Sequence, residues 1–128
     1  MLEITERVDP AFREDVVAGL SAPIPAVPAR WLYDRRGSEL FDEITRLPDY
    51  YPTRTETALL EEILPDVASR IPRGTAVVEF GAGSATKTPL LLEAIHPATY
   101  VPVDISGDYL RDSASEVAER FPGISVEP

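Results

Sequence analysis

Apolar positions recur at helical spacing through the first part of the chain and gather into short β-branched runs after it. Asp9 before Pro10 reads as an N-cap with proline at the first helical position, and "AFREDVVAGL" then sets Phe12, Val16, Val17 and Leu20 on one face. The proline-rich "SAPIPAVPAR" that follows is expected to be extended. In "GSELFDEITRL" the residues Leu40, Phe41, Ile44 and Leu47 again fall on one helical stripe, with Ser38 as the expected cap. Thr53 and Glu56 have the spacing of a capping box ahead of Ala58, Leu59, Leu60, Ile63 and Leu64, which leaves Tyr50 and Tyr51 in the connector before that helix.

From residue 75 the period changes. "TAVVEF" is suited to a buried strand, and "TKTPLLLEAI" reads as a helix with Thr88 as cap and Pro89 at its first position. "TYVPVDI" is a second strand with a local irregularity at Pro102. "SGDYLRDSASEVAERF" carries Leu110, Ala114, Val117 and Phe121 on one stripe, and "GISVEP" begins a third strand. The order β-α-β-α-β predicts an α/β fold, the first half of a doubly wound parallel sheet. The chain therefore divides into a helical segment with proline-rich connectors, 1–72, and a Rossmann-like half-domain, 73–128.

Composition narrows the partners. The 128 residues carry 22 acidic and 12 basic side chains, a formal charge of -10, with no basic cluster. That balance argues against nucleic acid and anionic membrane. The absence of cysteine excludes disulfides and thiolate chemistry, and the single histidine, His96, leaves little for a metal site. "MLEITERVDP" lacks the basic start and apolar core of a leader, and no apolar run nears the ~18 residues of a membrane span. A soluble cytoplasmic protein without a metal is expected.

The candidate chemistry lies in "VVEFGAGSATKTPLLLEAI". Gly81 and Gly83 fall at a strand-to-helix turn, where Gly81 takes the tight bend and Gly83 lets backbone N–H groups approach a ligand. The helix N-terminus behind them favours negative charge. Thr86 stands where a dinucleotide fingerprint has glycine or alanine, and Glu79 stands where a dinucleotide strand is apolar. Both disfavour a dinucleotide-binding oxidoreductase. The Glu79 carboxylate suits an ammonium group, Lys87 suits a carboxylate, and S-adenosyl-L-methionine carries both beside a nucleoside. Asp104 ends the second strand about 20 residues past the glycines, where an acid accepts hydrogen bonds from ribose hydroxyls; the glycine turn favours that role over the alternative of merely capping the next helix.

The blocks "RWLYDRRGSELFDEITRLPDYYPTRTE" and "VEFGAGSATKT" together resemble the histidine-specific S-adenosylmethionine-dependent methyltransferases. The resemblance runs from about Val8 to Pro128, and "LPDYYPTRTE" is far more specific than a glycine turn. It implies transfer of methyl groups to the α-amino group of L-histidine, forming hercynine on the route to ergothioneine. Gly81 and Lys87 then match cofactor contacts, Asp104 the ribose-binding acid, and Tyr50 and Tyr33 contacts to the substrate, with Tyr51 a second candidate for the Tyr50 position. No residue is assigned as catalytic. Members of the family continue through further strands and an insertion that complete the adenine and histidine contacts, so this chain corresponds to the N-terminal portion and is expected to be inactive alone. The alternative is a non-catalytic nucleoside- or partner-binding domain that associates through an open sheet edge.

From residue type alone, Tyr50 and Tyr51 pack against the sheet, Trp31 anchors a core, and Arg54 is solvated or capping. Residues 75–80 form the first strand of a sheet whose neighbour on one side is not supplied by these residues. Such an edge invites pairing with another chain, and self-association is expected.

Overall fold

The computed structural model describes residues 9–128, and most of "MLEITERVDP", the stretch expected not to be a leader, lies outside this range. Asp9 caps α1 (Pro10–Leu20) as expected, its side chain accepting from the Ala11 N–H at 2.8 Å. The apolar face of α1 is only partly covered. It rests on a short 3₁₀ turn, Ala29–Leu32, through Phe12, whose ring meets that of Trp31 edge to face at 5.1 Å. The turn differs from the extended connector expected through Arg30, because backbone bonds such as Trp31 N–H to Pro28 C=O close it locally.

The helix α2 (Arg35–Thr45) starts earlier than its serine suggested. Asp34 is the N-cap, accepting from the Gly37 N–H at 2.7 Å, and Ser38 is buried within the first turn. α3 (Pro52–Arg70) begins with Tyr51 at its N-cap position and no side-chain cap, so the Thr53–Glu56 box does not form. Glu56 reaches across to Lys87 instead, an ion pair of 2.6 Å.

The second part is a three-stranded parallel sheet in the order β1-β2-β3, formed by Ala76–Phe80, Thr99–Val103 and Ser125–Val126. α4 (Thr88–Ile95) and α5 (Gly107–Arg120) connect the strands. The elements therefore follow the expected β-α-β-α-β order. In β1, Val77 lies opposite Tyr100 and Glu79 opposite Pro102. β3 pairs with β2 at Thr99↔Ser125 and Tyr100↔Val126, and the Glu127 N–H still reaches the Tyr100 carbonyl at 2.9 Å.

The core sits between the sheet and its two connecting helices: Ala85, Leu92, Tyr100 and Val117 are buried, with Val77, Phe121, Ile124 and Val126 packed against them. Leu110, Ala114 and Val117 form the buried stripe of α5 that their spacing predicted. The opposite sheet face is open. Val78 is 52% and Phe80 82% exposed, so β1 is not the buried strand expected. Alternate residues of a strand point to opposite faces, and only one face here carries helices.

Candidate functional site

The bend after β1 is shaped by backbone conformation. Gly81 and Gly83 both have positive φ, +73° and +52°, which glycine adopts without the steric penalty of a Cβ. The Gly81 and Ala82 N–H groups both reach the Val103 carbonyl, at 2.8 and 3.3 Å, tying the bend to the end of β2. The Gly83 N–H is held as well: it donates to Asp104 Oδ2 at 3.0 Å. The amide expected to face a ligand is thus committed to the neighbouring acid. Asp104 Oδ1 accepts from the Ser106 N–H at 2.9 Å, so the same carboxylate also steadies the start of α5. Asp104 is not the N-cap of α5, a position held by Ser106 with no side-chain cap; it braces the chain just ahead of the helix and, at the same time, the bend.

Glu79 projects from β1 onto the covered face of the sheet. Its Oε2 accepts from Tyr100 OH at 2.6 Å and from Thr88 Oγ1 at 2.8 Å. Thr88 is not a cap: Lys87 occupies the N-cap position of α4, and the Thr88 hydroxyl turns inward to Glu79 because it is fully buried and needs an acceptor. Burial, reinforced by the Glu79 carboxylate, pushes the Tyr100 phenol far above its usual range, which keeps it a neutral donor.

On the helical side, Phe41 lies between the two predicted substrate tyrosines. Its ring meets Tyr33 at 6.3 Å and Tyr50 at 6.0 Å, both edge to face. Tyr51 points elsewhere and is 67% exposed. Arg54 fixes the turn that carries Tyr50: its guanidinium donates to the carbonyls of Leu47 at 2.9 Å, Pro48 at 2.6 Å and Tyr50 at 3.2 Å. Arg54 therefore caps a loop, as its residue type suggested.

These groups converge. A cleft of about 760 Å³ opens at the carboxyl ends of β1 and β2, and Tyr33, Tyr50, Glu79, Gly81, Gly83, Lys87 and Asp104 all line it. Its size suits a small-molecule ligand. Asp42 and Tyr109 also line it, and neither was singled out from the sequence. The Tyr109 hydroxyl donates to Asp42 Oδ2, linking α5 to α2. Burial and that carboxylate push Tyr109 up to about 12. An acid and a tyrosine on different helices carry no spacing signal, which is why the pair was not legible.

A glycine bend after a parallel strand, an acid at the end of the next, and a cleft above both define an α/β protein with a candidate ligand site at the carboxyl edge of its sheet. Residues 12–128 match the family described as histidine-specific methyltransferase, SAM-dependent, and the chain belongs to that family. The histidine N-alpha-methyltransferase of Mycolicibacterium smegmatis is 40% identical over 121 residues, covering 91% of this chain and 37% of the relative. Ergothioneine biosynthesis protein 1 of Neurospora crassa is 37% identical over 95 residues, covering 71% of this chain and 11% of the relative. The 4-dimethylallyltryptophan N-methyltransferase of Claviceps purpurea is 26% identical over 130 residues, covering 94% and 38%. The chain thus spans little more than a third of the length of these relatives at most. Among the described residues no helix is long and apolar enough to cross a membrane.

Proposed function

We propose that this chain forms the cofactor side of a Rossmann-like S-adenosyl-L-methionine-dependent N-methyltransferase that acts in the cytoplasm on the α-amino group of L-histidine, the step that yields hercynine for ergothioneine. The observation that carries the reading is the convergence of Glu79, Gly81, Gly83, Lys87 and Asp104 with Tyr33 and Tyr50 on one cleft in a chain of this family. The cofactor fits the groups present. A Cβ built on Gly81 meets nothing within 4 Å, so the backbone there borders open space that a ligand can occupy. Glu79 offers an acceptor for an ammonium group, Lys87 a partner for a carboxylate, and Asp104 an acceptor for ribose hydroxyls.

When bound, S-adenosylmethionine supplies an electrophilic sulfonium methyl. The residues of this chain hold and orient. Tyr33, Phe41 and Tyr50 form an aromatic wall against which an amino acid side chain can lie, and Arg54 keeps Tyr50 in that wall. Positioning of this kind is a large part of what accelerates a displacement between two bound reactants. Because the chain spans 37% of the Mycolicibacterium smegmatis enzyme, we propose cofactor binding for it and not unaided turnover. Titration of S-adenosylhomocysteine into the purified chain by calorimetry tests this: micromolar binding that disappears in Gly81→Val supports it, and no binding by a demonstrably folded chain overturns it.

One observation favours a second activity. Among the described residues β1 pairs only with β2, and Val78 and Phe80 beside its other edge are exposed. An edge of that kind accepts another strand, and we propose that it mediates self-association.

A further inference from the structure

Two buried hydroxyls converge on a single oxygen of Glu79. Tyr100 and Thr88 are each 0% exposed, and neither lines the cleft; they stand behind the acid that does. The hydroxyl of Tyr100 comes from β2 and that of Thr88 from the first turn of α4, 3.5 Å from one another. Each hydroxyl has one hydrogen, and each hydrogen goes to Oε2. Among the described residues Glu79 Oε1 accepts nothing, although its residue lines the cleft.

We infer that Tyr100 and Thr88 are positioning residues that lock Glu79 by one oxygen so that the other is held for a cationic amine, which makes this pocket selective for ligands bearing an ammonium group. The inference rests on the reading of the cleft as a cofactor site and adds to it which residues impose the choice. A carboxylate free to rotate would lose side-chain entropy on meeting each ligand; one already fixed by two hydrogen bonds does not. The two donors also leave Oε2 saturated, so a neutral ligand hydroxyl competing for that oxygen gains nothing.

The test compares two thioethers that share adenosine and sulfur. S-adenosylhomocysteine carries the amino acid group, and 5′-methylthioadenosine lacks it. Calorimetric titration of both is made with the wild-type chain, Tyr100→Phe, Thr88→Val and Thr88→Ser. Loss of either hydroxyl is expected to weaken S-adenosylhomocysteine about fivefold to tenfold, the net size of one typical hydrogen bond, and to leave methylthioadenosine unchanged. Thr88→Ser, which keeps the hydroxyl, is expected to restore affinity. Should Tyr100→Phe fail to fold, the Thr88 pair decides. Equal losses for both thioethers, or no loss for S-adenosylhomocysteine, overturn the inference while leaving the cofactor reading intact. Binding of neither thioether by the wild-type chain overturns that reading, and the inference with it.

Discussion

The Asp104 carboxylate accepts the Gly83 N–H at 3.0 Å, so an acid at the end of one strand sets the shape of the bend that follows another. Its second oxygen holds the Ser106 N–H. Asp104→Ala is therefore expected to do more than remove a ligand contact. It leaves two backbone donors unpaired and should lower stability by about 2 kcal/mol, read from urea unfolding. If stability is unchanged while S-adenosylhomocysteine binding is lost, the residue serves the ligand alone.

Arg54 bonds three carbonyls of the turn that carries Tyr50. Arg54→Ala should cost about 1 kcal/mol, given the exposure of the guanidinium, and should loosen the Phe41–Tyr50 contact. Arg54→Lys is not expected to rescue it, since an ammonium lacks the planar fork that spans separate acceptors. Near-ultraviolet circular dichroism of the tyrosines checks both variants; an unchanged spectrum in Arg54→Ala argues against the clamp.

Acid should release α1 before the sheet. Asp15 is lowered from its ordinary 3.8 first by the Trp31 indole N–H and then by Arg30. A folded value below the unfolded one means that the contribution is complete above about pH 4 and fades as pH falls through the folded value. Trp31 is the single tryptophan, so its fluorescence reports on this contact alone. A fluorescence transition in acid that precedes loss of far-ultraviolet signal, and that is already complete at neutral pH in Asp15→Asn, is expected. Coincident transitions would show that α1 is not a separate unit.

The open edge of β1 predicts a mass that rises with concentration in light scattering coupled to gel filtration. Val78→Lys places a charge beside that edge and should return the chain toward monomer. A wild-type chain that stays monomeric at high concentration removes the proposal.

Much of the fold could be read from local pattern. The stripe of Leu110, Ala114 and Val117 and the Asp9–Pro10 start are written within a few residues, and they form as their spacing dictates. The capping assignments fared differently. Ser38, Thr53 and Thr88 all have cap chemistry, yet Ser38 meets Ser106 at 3.3 Å, Thr88 meets Glu79, and Thr53 sits inside the first turn of α3. A short hydroxyl side chain serves a helix end or a tertiary partner equally well, and sequence order does not say which is closer in space. The glycine bend and Asp104 were legible because a strand, a turn and a following strand fix their separation. Asp42 with Tyr109, and Tyr100 behind Glu79, were not, because each pair is joined only when α2 and β2 pack onto elements remote in sequence.

α2 is joined to the rest mainly by polar contacts, whereas α3 packs against α4 and buries Leu64. Ser38 touches Ser106, Asp42 holds Tyr109, Arg35 pairs with Asp112 at 2.9 Å, and Glu56 pairs with Lys87, while Leu40, Phe41 and Ile44 on α2 stay about two-fifths exposed. A wall fastened by charges and hydroxyls separates from the sheet at a lower free energy than the sheet itself unfolds. Added salt weakens the ion pairs and leaves the Leu92–Tyr100–Val117 core untouched. Amide protons of α2 are then expected to exchange with solvent before those of β2, so that the aromatic side of the cleft, which Phe41 lines, loosens first.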